Sequence, residues 1–575
     1  MKEHTVKMTN AQLVADCLKR HEVEYLFGQS NPSKITLACI DRGIRQIGYR
    51  QENAGTYMAQ AYGMATGKVP VVTAQNGPAA TLLVAGLAEC LTAGHPIVAI
   101  VQQVALDDYD KNAFQELDHL KLFEGCAKWV KTVQARSRIE DYIDMAFTMA
   151  ASGKPGPAVL LFPVDLFNDD TAYEHTLYRT QNWGHYPLDR TAPAADGIRK
   201  AAELLMNAER PVIYAGGGVL RSQAQAELRA IQEKYSIPVA TTMMGKGSVD
   251  ETHPLSIGVA GYISGKRGMA NFLKPMISQA DVVLLVGNRT NQIGTDSGTL
   301  LPRNATYIHI DIDHLEIGRN YESDIRLCGD AKCTLALLDQ ALAGCDGAKR
   351  AAARPALEQQ IAEGRAAHRQ EIDDVLASAK PMDGCVFPER FMAHVEKFLS
   401  DDHQLVADAS FSSIWIANYL QSCGERRFYL PRGLAGLGWG LPMAMGVKVA
   451  LPDKKVFCLT GDGGFAHVWS ELETCKRENI DVICVVLNNE MLGYQYYAEH
   501  AKFGAHTNAC IIYPVDYAAI ANACGHLGLR LDSDDQIDAV LEQAFAAKGT
   551  VLIDLHADPR SVPPVSLLQT VAPQI

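Results

Sequence analysis

KVFCLTGDGGFAHVWSELETCKRENIDVICVVLNNEMLGYQ, residues 455–495, decides how the whole chain is read. Val456 to Thr460 is an apolar run that ends in Gly461-Asp462-Gly463-Gly464. A polar, helix-like stretch follows, then a second apolar run from Val482 to Leu487 that ends in Asn488-Asn489. Strand, glycine turn, helix, strand and polar turn make one βαβ unit, which brings both turns out side by side. Asp462 and Asn489 are 27 residues apart, the length of one such unit. Asp462 then offers a carboxylate oxygen and Asn489 an amide oxygen. A small hard cation takes oxygens of this kind, completed by a diphosphate, a backbone carbonyl and water. The glycines let the backbone approach phosphates, and the helix start after Gly464 adds N–H groups.

Outward from this stretch the same rhythm repeats. VEYLFG, VPVVTA, PIVAIV, PAVLLF, PVIYAGGG, DVVLLVG and TYIHIDI are short, apolar and mostly β-branched, with Gly, Asn, Asp or Ser near their ends. Buried parallel strands with helices on both faces look like this. Two breaks interrupt the rhythm, a polar, Pro-containing stretch near 170–195 and a charged, Ala-rich one at about 345–382, read as a linker carrying an exposed helix. The expectation is an α/β chain of three doubly wound domains with parallel sheets, over 1–180, 190–345 and 380–575. Function is then sought just beyond the carboxyl ends of the strands.

Composition narrows the partners. Apolar residues are 47% and charged residues 21%, so sizeable cores are expected. Lys plus Arg is 53 against 66 for Asp plus Glu, a net charge of −13, which argues against nucleic acid or an anionic membrane. MKEHTVKMTN is polar, so no secretory signal is expected, and no apolar run approaches the roughly 18 residues of a membrane span. The 14 cysteines form no CxxC pair and no zinc-spaced cluster, which fits reduced thiols in a cytoplasmic protein.

IGYRQENAGTYMAQAYGMATG, residues 47–67, reads as a strand and a helix with Glu52 at the junction. A carboxylate pushed toward a partly apolar cleft has a raised pKa and can share a proton with a ligand nitrogen. Together, the GDG…NN pair and this Glu resemble the motifs of thiamine diphosphate enzymes such as pyruvate decarboxylases, pyruvate oxidases and acetolactate synthases. The resemblance implies that Asp462, Asn489 and the carbonyl of Met491 bind Mg²⁺. Gly461, Gly463, Gly464, Leu492 and Gly493 would line the diphosphate. Glu52 would pair with the pyrimidine N1′, so that the cofactor forms its C2 ylide.

RGLAGLGWGLPMAMGVKVA, residues 432–450, is similar to the segment that holds the aminopyrimidine in acetolactate synthases. Leu437 falls at that family's apolar wedge. Ala435 falls where a backbone carbonyl accepts the 4′-amino group; it replaces the usual Gly, a change expected to matter little. AQNGPAAT (Ala74 to Thr81) stands where the family has T-S-G-P-G-A-T, and Phe114-Gln115-Glu116 matches its F-Q-E, which makes Gln115 a catalytic candidate. Gln75-Asn76 departs from that pattern toward sulfoacetaldehyde acetyltransferase, and Gln29-Ser30-Asn31-Pro32 replaces a Gly-rich turn. Gln29, Asn31, Gln75, Asn76 and His467 are therefore the substrate-facing candidates. Tyr496, Tyr497, His500, Lys502 and His506 would form a lid.

AGGGVLR, Gly287-Asn288-Arg289 and DIDHLEIGRN resemble the FAD-binding domain of the same enzymes, so bound FAD stands beside the favoured alternative, a vestigial nucleotide fold. The leading expectation is an acetolactate synthase-like decarboxylase or carboligase on a 2-oxo acid, working as a homodimer or homotetramer with active sites at the subunit interface. The alternatives are a 2-hydroxyacyl-CoA lyase or sulfoacetaldehyde acetyltransferase-like acyl transferase, a flavin-dependent oxidase, and a non-catalytic cofactor-binding relative. Donor, acceptor and stereochemistry are left open.

Overall fold

The computed structural model describes residues 4–568 and Val571. Three six-stranded parallel sheets carry the chain. The first runs, edge to edge, Arg45–Ile47, Tyr25–Gly28, Val71–Ala74, Ile97–Gln103, Pro157–Pro163, Trp129–Thr132. The second runs Ser256–Val259, Val239–Thr241, Pro211–Ala215, Val282–Val286, Thr306–Asp311, Ile325–Cys328. The third runs Arg427–Tyr429, Gln404–Ala407, Val456–Gly461, Ile483–Asn488, Val551–His556, Leu527–Leu531. Numbered within each sheet by chain order, the first and third both read 2-1-3-4-6-5, and the second reads 3-2-1-4-5-6. All are doubly wound, and each has a point where the strand order reverses and a crevice opens.

The apolar runs are the inner strands. Pro157–Pro163, Val282–Val286 and Ile483–Asn488 are buried at every position, because helices cover both faces. Several strands do not announce themselves in the sequence. Arg45–Ile47, Trp129–Thr132 and Leu527–Leu531 are short edge strands with exposed or half-buried positions. In Val551–His556 the apolar run is broken by Asp554, whose carboxylate accepts the Asn488 Nδ2–H (2.9 Å) and the Tyr517 N–H (2.9 Å). The polar stretch near 170–195 holds Tyr173–Leu177, paired antiparallel with His4–Met8. The Ala-rich stretch is one helix, Ala348–Ser378, that buries Arg350, Ile361 and His368.

By contacts the chain falls into two compact units. One comprises 1–189, 431–453 and 466–482; the other 190–430, 454–465 and 483–575. The first sheet lies in the former, the other two sheets in the latter. Helices Gly440–Ala450 and Glu471–Glu478, which connect strands of the third sheet, belong to the first unit. No helix among the described residues is long and apolar enough to cross a membrane.

Candidate functional site

In the second unit, the turn after Val456–Gly461 meets the turn after Ile483–Asn488. Asp462 is 3% exposed, and its carboxylate joins the two: it accepts the N–H of Gly463 (2.7 Å) and of Glu490 (2.7 Å). Burial pushes its carboxyl up to about 7, against the lowering pull of the backbone N–H groups around it. The glycines make close approach possible. A Cβ at Gly463 would come 2.5 Å from Leu492, and one at Gly464 would come 2.8 Å from the carboxylate of Asp408. A Cβ at Gly493 would come 2.9 Å from the ring of Phe411 and 3.1 Å from Asn489 Nδ2.

The two asparagines divide the work. Asn488 is buried and donates to Asp554 Oδ1 (2.9 Å) and Val515 O (3.1 Å), so it ties strands together. Asn489, half-buried, follows it into the turn. Leu492 N–H donates to Cys510 O (2.8 Å), anchoring the segment that starts at Met491. Among the described residues no group of three or more His, Cys, Asp and Glu side chains could hold a metal. The two turns do offer one carboxylate, an amide oxygen and backbone carbonyls, oxygens of the kind a small hard cation takes together with those of a ligand.

Asp408 was not legible in the sequence. It follows the first strand of the third sheet, Gln404–Ala407, at the point where the strand order reverses. It is 1% exposed and accepts Thr460 Oγ1–H (3.1 Å) and Ala409 N–H (2.6 Å). Its signal is only an Asp after a short apolar run.

In the first unit, Glu52 opens the helix Glu52–Thr66 and is 7% exposed; burial raises its carboxyl above the usual range. Gln51 gives this helix no side-chain cap. The carboxylate of Glu471 instead accepts the N–H of Arg50 (2.9 Å) and Gln51 (3.1 Å). The amide-bearing candidates gather where the first sheet reverses. Asn31 Nδ2–H donates to Gln75 Oε1 (3.1 Å), and Gln75 Nε2–H to Gln115 Oε1 (2.8 Å). Asn76 donates to the carbonyls of Phe114 (3.0 Å) and Gln115 (3.1 Å), and Gln29 to that of Arg50 (3.2 Å). Gln115 itself sits at φ +59°. His119, which the sequence did not single out, is buried; its Nε2 accepts the Gly77 N–H (2.9 Å) while Nδ1 lies 3.0 Å from Gln103 Oε1. His467 is exposed, and no hydrogen bond joins it to this group among the described residues.

The loop before Gly440–Ala450 is in the same unit. Leu437 is 37% exposed. Ala435 has φ +63°, the left-handed region, a conformational demand that the expectation of a harmless exchange for a backbone contact did not consider. Only glycine takes that conformation without strain, so the exchange has a conformational cost even where a backbone atom does the work. Helix Gly440–Ala450 lies tightly on helix Glu52–Thr66, since a Cβ on Gly446 would strike the Met58 carbonyl.

Of the lid candidates, Tyr497 is 5% exposed and donates to Pro559 O (2.9 Å), so it belongs to the core. Tyr496, His500 and His506 cluster with ring centroids 4.4–4.9 Å apart and planes tilted by 31–42°, and Lys502 is exposed. In the second sheet the glycine turn is occupied by its neighbour. Gly216 N–H donates to Val286 O (2.8 Å) and Gly218 N–H to Gly287 O (3.1 Å), and a Cβ on Gly218 would come 2.6 Å from Gly287 Cα. These are the N–H groups and the space a dinucleotide phosphate uses.

Comparison with known proteins matches three stretches. Residues 8–122 match a thiamine pyrophosphate enzyme N-terminal TPP binding domain, 198–338 a thiamine pyrophosphate enzyme central domain, and 408–555 a thiamine pyrophosphate enzyme C-terminal TPP binding domain. The chain is 31% identical to a probable acetolactate synthase large subunit of Methanococcus aeolicus, over 98% of this chain and 95% of that one. It is 30% identical to an acetolactate synthase of Arthrospira platensis, over 96% and 95%. It is 29% identical to the acetolactate synthase isozyme 2 large subunit of Escherichia coli strain K12, over 96% of each.

Proposed function

We propose, from the premise that this chain belongs to the thiamine pyrophosphate enzyme family, that it acts as an acetolactate synthase-like enzyme on a 2-oxo acid. It would release CO₂ and either protonate the remaining acyl fragment or join it to a second carbonyl compound. The observation that carries this reading is the Asp462 carboxylate bridging the two turns of the third sheet, with Asn489 beside it. Thiamine diphosphate, when bound, supplies the carbon nucleophile and the electron sink for the C–C step.

The protein's part is binding, orientation and proton control. Asp462, Asn489 and the Met491 carbonyl would hold Mg²⁺, and Gly461, Gly463, Gly464, Leu492 and Gly493 would cradle the diphosphate. Glu52, raised by burial, holds a proton at the pyrimidine nitrogen. The Ala435 carbonyl would accept from the amino group, and Leu437 would pack against the cofactor. Gln115, held by Gln75, directs an amide N–H toward the substrate carbonyl. We take the domains as 1–180, 190–345 and 380–575, and the working form as a cytoplasmic homodimer or homotetramer in which Glu52 and the Asp462 turn act across a subunit interface. The middle domain is read as a nucleotide fold without flavin, because its turn N–H groups are used internally.

One observation favours a second reading. The linked amides of Asn31, Gln75 and Gln115 would suit an acceptor rich in oxygens, as in acyl transfer or 2-hydroxyacyl-CoA lysis. The deciding experiment supplies thiamine diphosphate and Mg²⁺ with a panel of 2-oxo acids and follows CO₂ and products. CO₂ with an aldehyde or a condensed hydroxyketone supports the first reading. Cofactor binding with no CO₂ from any acid would move the assignment to the second.

A further inference from the structure

Two buried carboxylates have no part in the scheme above. Glu89, 1% exposed, lies on helix Val84–Ala93 and accepts three consecutive backbone N–H groups, from Gly433 (2.9 Å), Leu434 (2.6 Å) and Ala435 (3.0 Å). Glu471, 0% exposed, lies on helix Glu471–Glu478 and accepts the N–H of Arg50 on both oxygens (2.9 and 3.2 Å) and that of Gln51 (3.1 Å). All of these residues are inside the first unit. A carboxylate is buried at heavy cost unless hydrogen bonds replace its water, and here backbone N–H groups of one loop do so.

The two arrangements are equivalents. Each helix connects the third strand of its sheet to the fourth. Each reaches the loop that precedes the helix between the second and third strands of the other sheet. Each Glu begins an E-x-x-T run, Glu89-Cys90-Leu91-Thr92 and Glu471-Leu472-Glu473-Thr474. Thr474 Oγ1–H donates to Glu471 Oε2 (2.7 Å), and Thr92 Oγ1–H to the carbonyl of Glu89 (3.1 Å). The loops they grip end in Glu52 and in Ala435.

We infer that Glu89 and Glu471 are positioning residues, a reciprocal pair of latches that hold the Ala435 loop and the Glu52 loop in their reacting geometry. This rests on the reading that Ala435 and Glu52 face the aminopyrimidine. The Ala435 loop states the need most clearly. A non-glycine residue at φ +63° persists only where its surroundings over-determine it. Glu89 supplies that constraint from one side. Gly433 permits it, since a Cβ there would come 2.7 Å from both Glu89 Oε1 and the Glu89 carbonyl. A Gln at 89 keeps the shape but turns an NH₂ toward loop N–H groups, so at least one loop bond is lost and the Ala435 strain is no longer held.

The test measures thiamine diphosphate affinity in the presence of Mg²⁺, by fluorescence quenching, with backbone amide hydrogen exchange read at 433–435 and at 50–54. Glu89→Gln is expected to weaken binding at least tenfold and to speed exchange at 433–435 while leaving 50–54 unchanged. Glu471→Gln should do the reverse in exchange and lower kcat more than it weakens binding. Ala435→Gly alone, measured in the same titration, sets the reference for the double variant. Placed in the Glu89→Gln background it should restore about fivefold, because the strain is gone; a merely structural Glu89 would give no such rescue. Where Glu89→Gln does not fold, Glu89→Asp carries the same comparison. Wild-type affinity in Glu89→Gln, or a loss that Ala435→Gly leaves untouched, overturns the latch while the cofactor reading stands. A wild-type protein that binds no thiamine diphosphate overturns both.

Discussion

Glu52 and Asp462 are both buried carboxylates with raised proton affinity, yet they should fail differently when replaced. Glu52→Gln keeps the shape and loses the proton exchange. Its kcat should fall about 10²- to 10⁴-fold with cofactor affinity within about threefold, as read by steady-state kinetics and a binding titration. Asp462→Ala removes the bridge between two turns, so Mg²⁺-dependent binding of thiamine diphosphate should be lost, as calorimetry would record. These residues were legible because their motifs are local: a strand, a turn and a fixed spacing. The amide group was legible one residue at a time. Its linkage was not, since Asn31, Gln75 and Gln115 meet only through the fold. Asp408, His119, Glu89 and Glu471 were missed for one reason. Each is a buried polar side chain whose partners are backbone groups of another segment or side chains that only the fold brings near, and sequence alone does not show which polar residues lie inside.

Among the elements, helix Glu52–Thr66 carries the largest demand. It buries Glu52 and ten further positions, nearly all round, so its own hydrophobic pattern is weak. Its partner Gly440–Ala450 approaches so closely that Gly446 rests on the Met58 carbonyl. Gly446→Val should therefore overpack the pair and cost about 1–3 kcal/mol, seen as a lower urea midpoint with the m-value unchanged. The inner strands were readable as apolar runs because both faces are buried. The edge strands were not, because three to five residues with mixed exposure carry neither the run nor a clean alternation.

Across the whole molecule, buried groups set opposing pH dependences: raised carboxyls such as Asp462 favour the fold toward acid, and buried neutral histidines disfavour it. Burial depresses His309 from 6.5 to about 4, with Nε2–H donating to Asn288 O (3.0 Å). Between these values the unfolded chain binds more protons than the folded one, so stability rises with pH there. The stability tied to this neutral ring is full above pH 6.5 and is lost as pH falls toward about 4, up to about 3 kcal/mol. Between pH 7 and 4.5 the wild type should therefore lose more stability, or gain less, than His309→Gln, as paired urea midpoints would record. A subunit-interface site also predicts that specific activity falls on dilution as light scattering reports smaller species. The three-sheet plan was readable because glycine, asparagine and aspartate punctuate the strands, whereas the antiparallel pair His4–Met8 with Tyr173–Leu177 joins segments far apart in the chain and left no local trace. The first and third sheets share the order 2-1-3-4-6-5, so one chain uses the same crossover plan twice. Position by position, the Gln75 turn is then the sister of the Gly461-Asp462-Gly463 turn, and Glu52 the sister of the residues before Gly440. One plan thus serves two chemistries in a single chain: the third-strand turn of one sheet carries the oxygens of Asp462, that of the other the amides of Gln75 and Asn76.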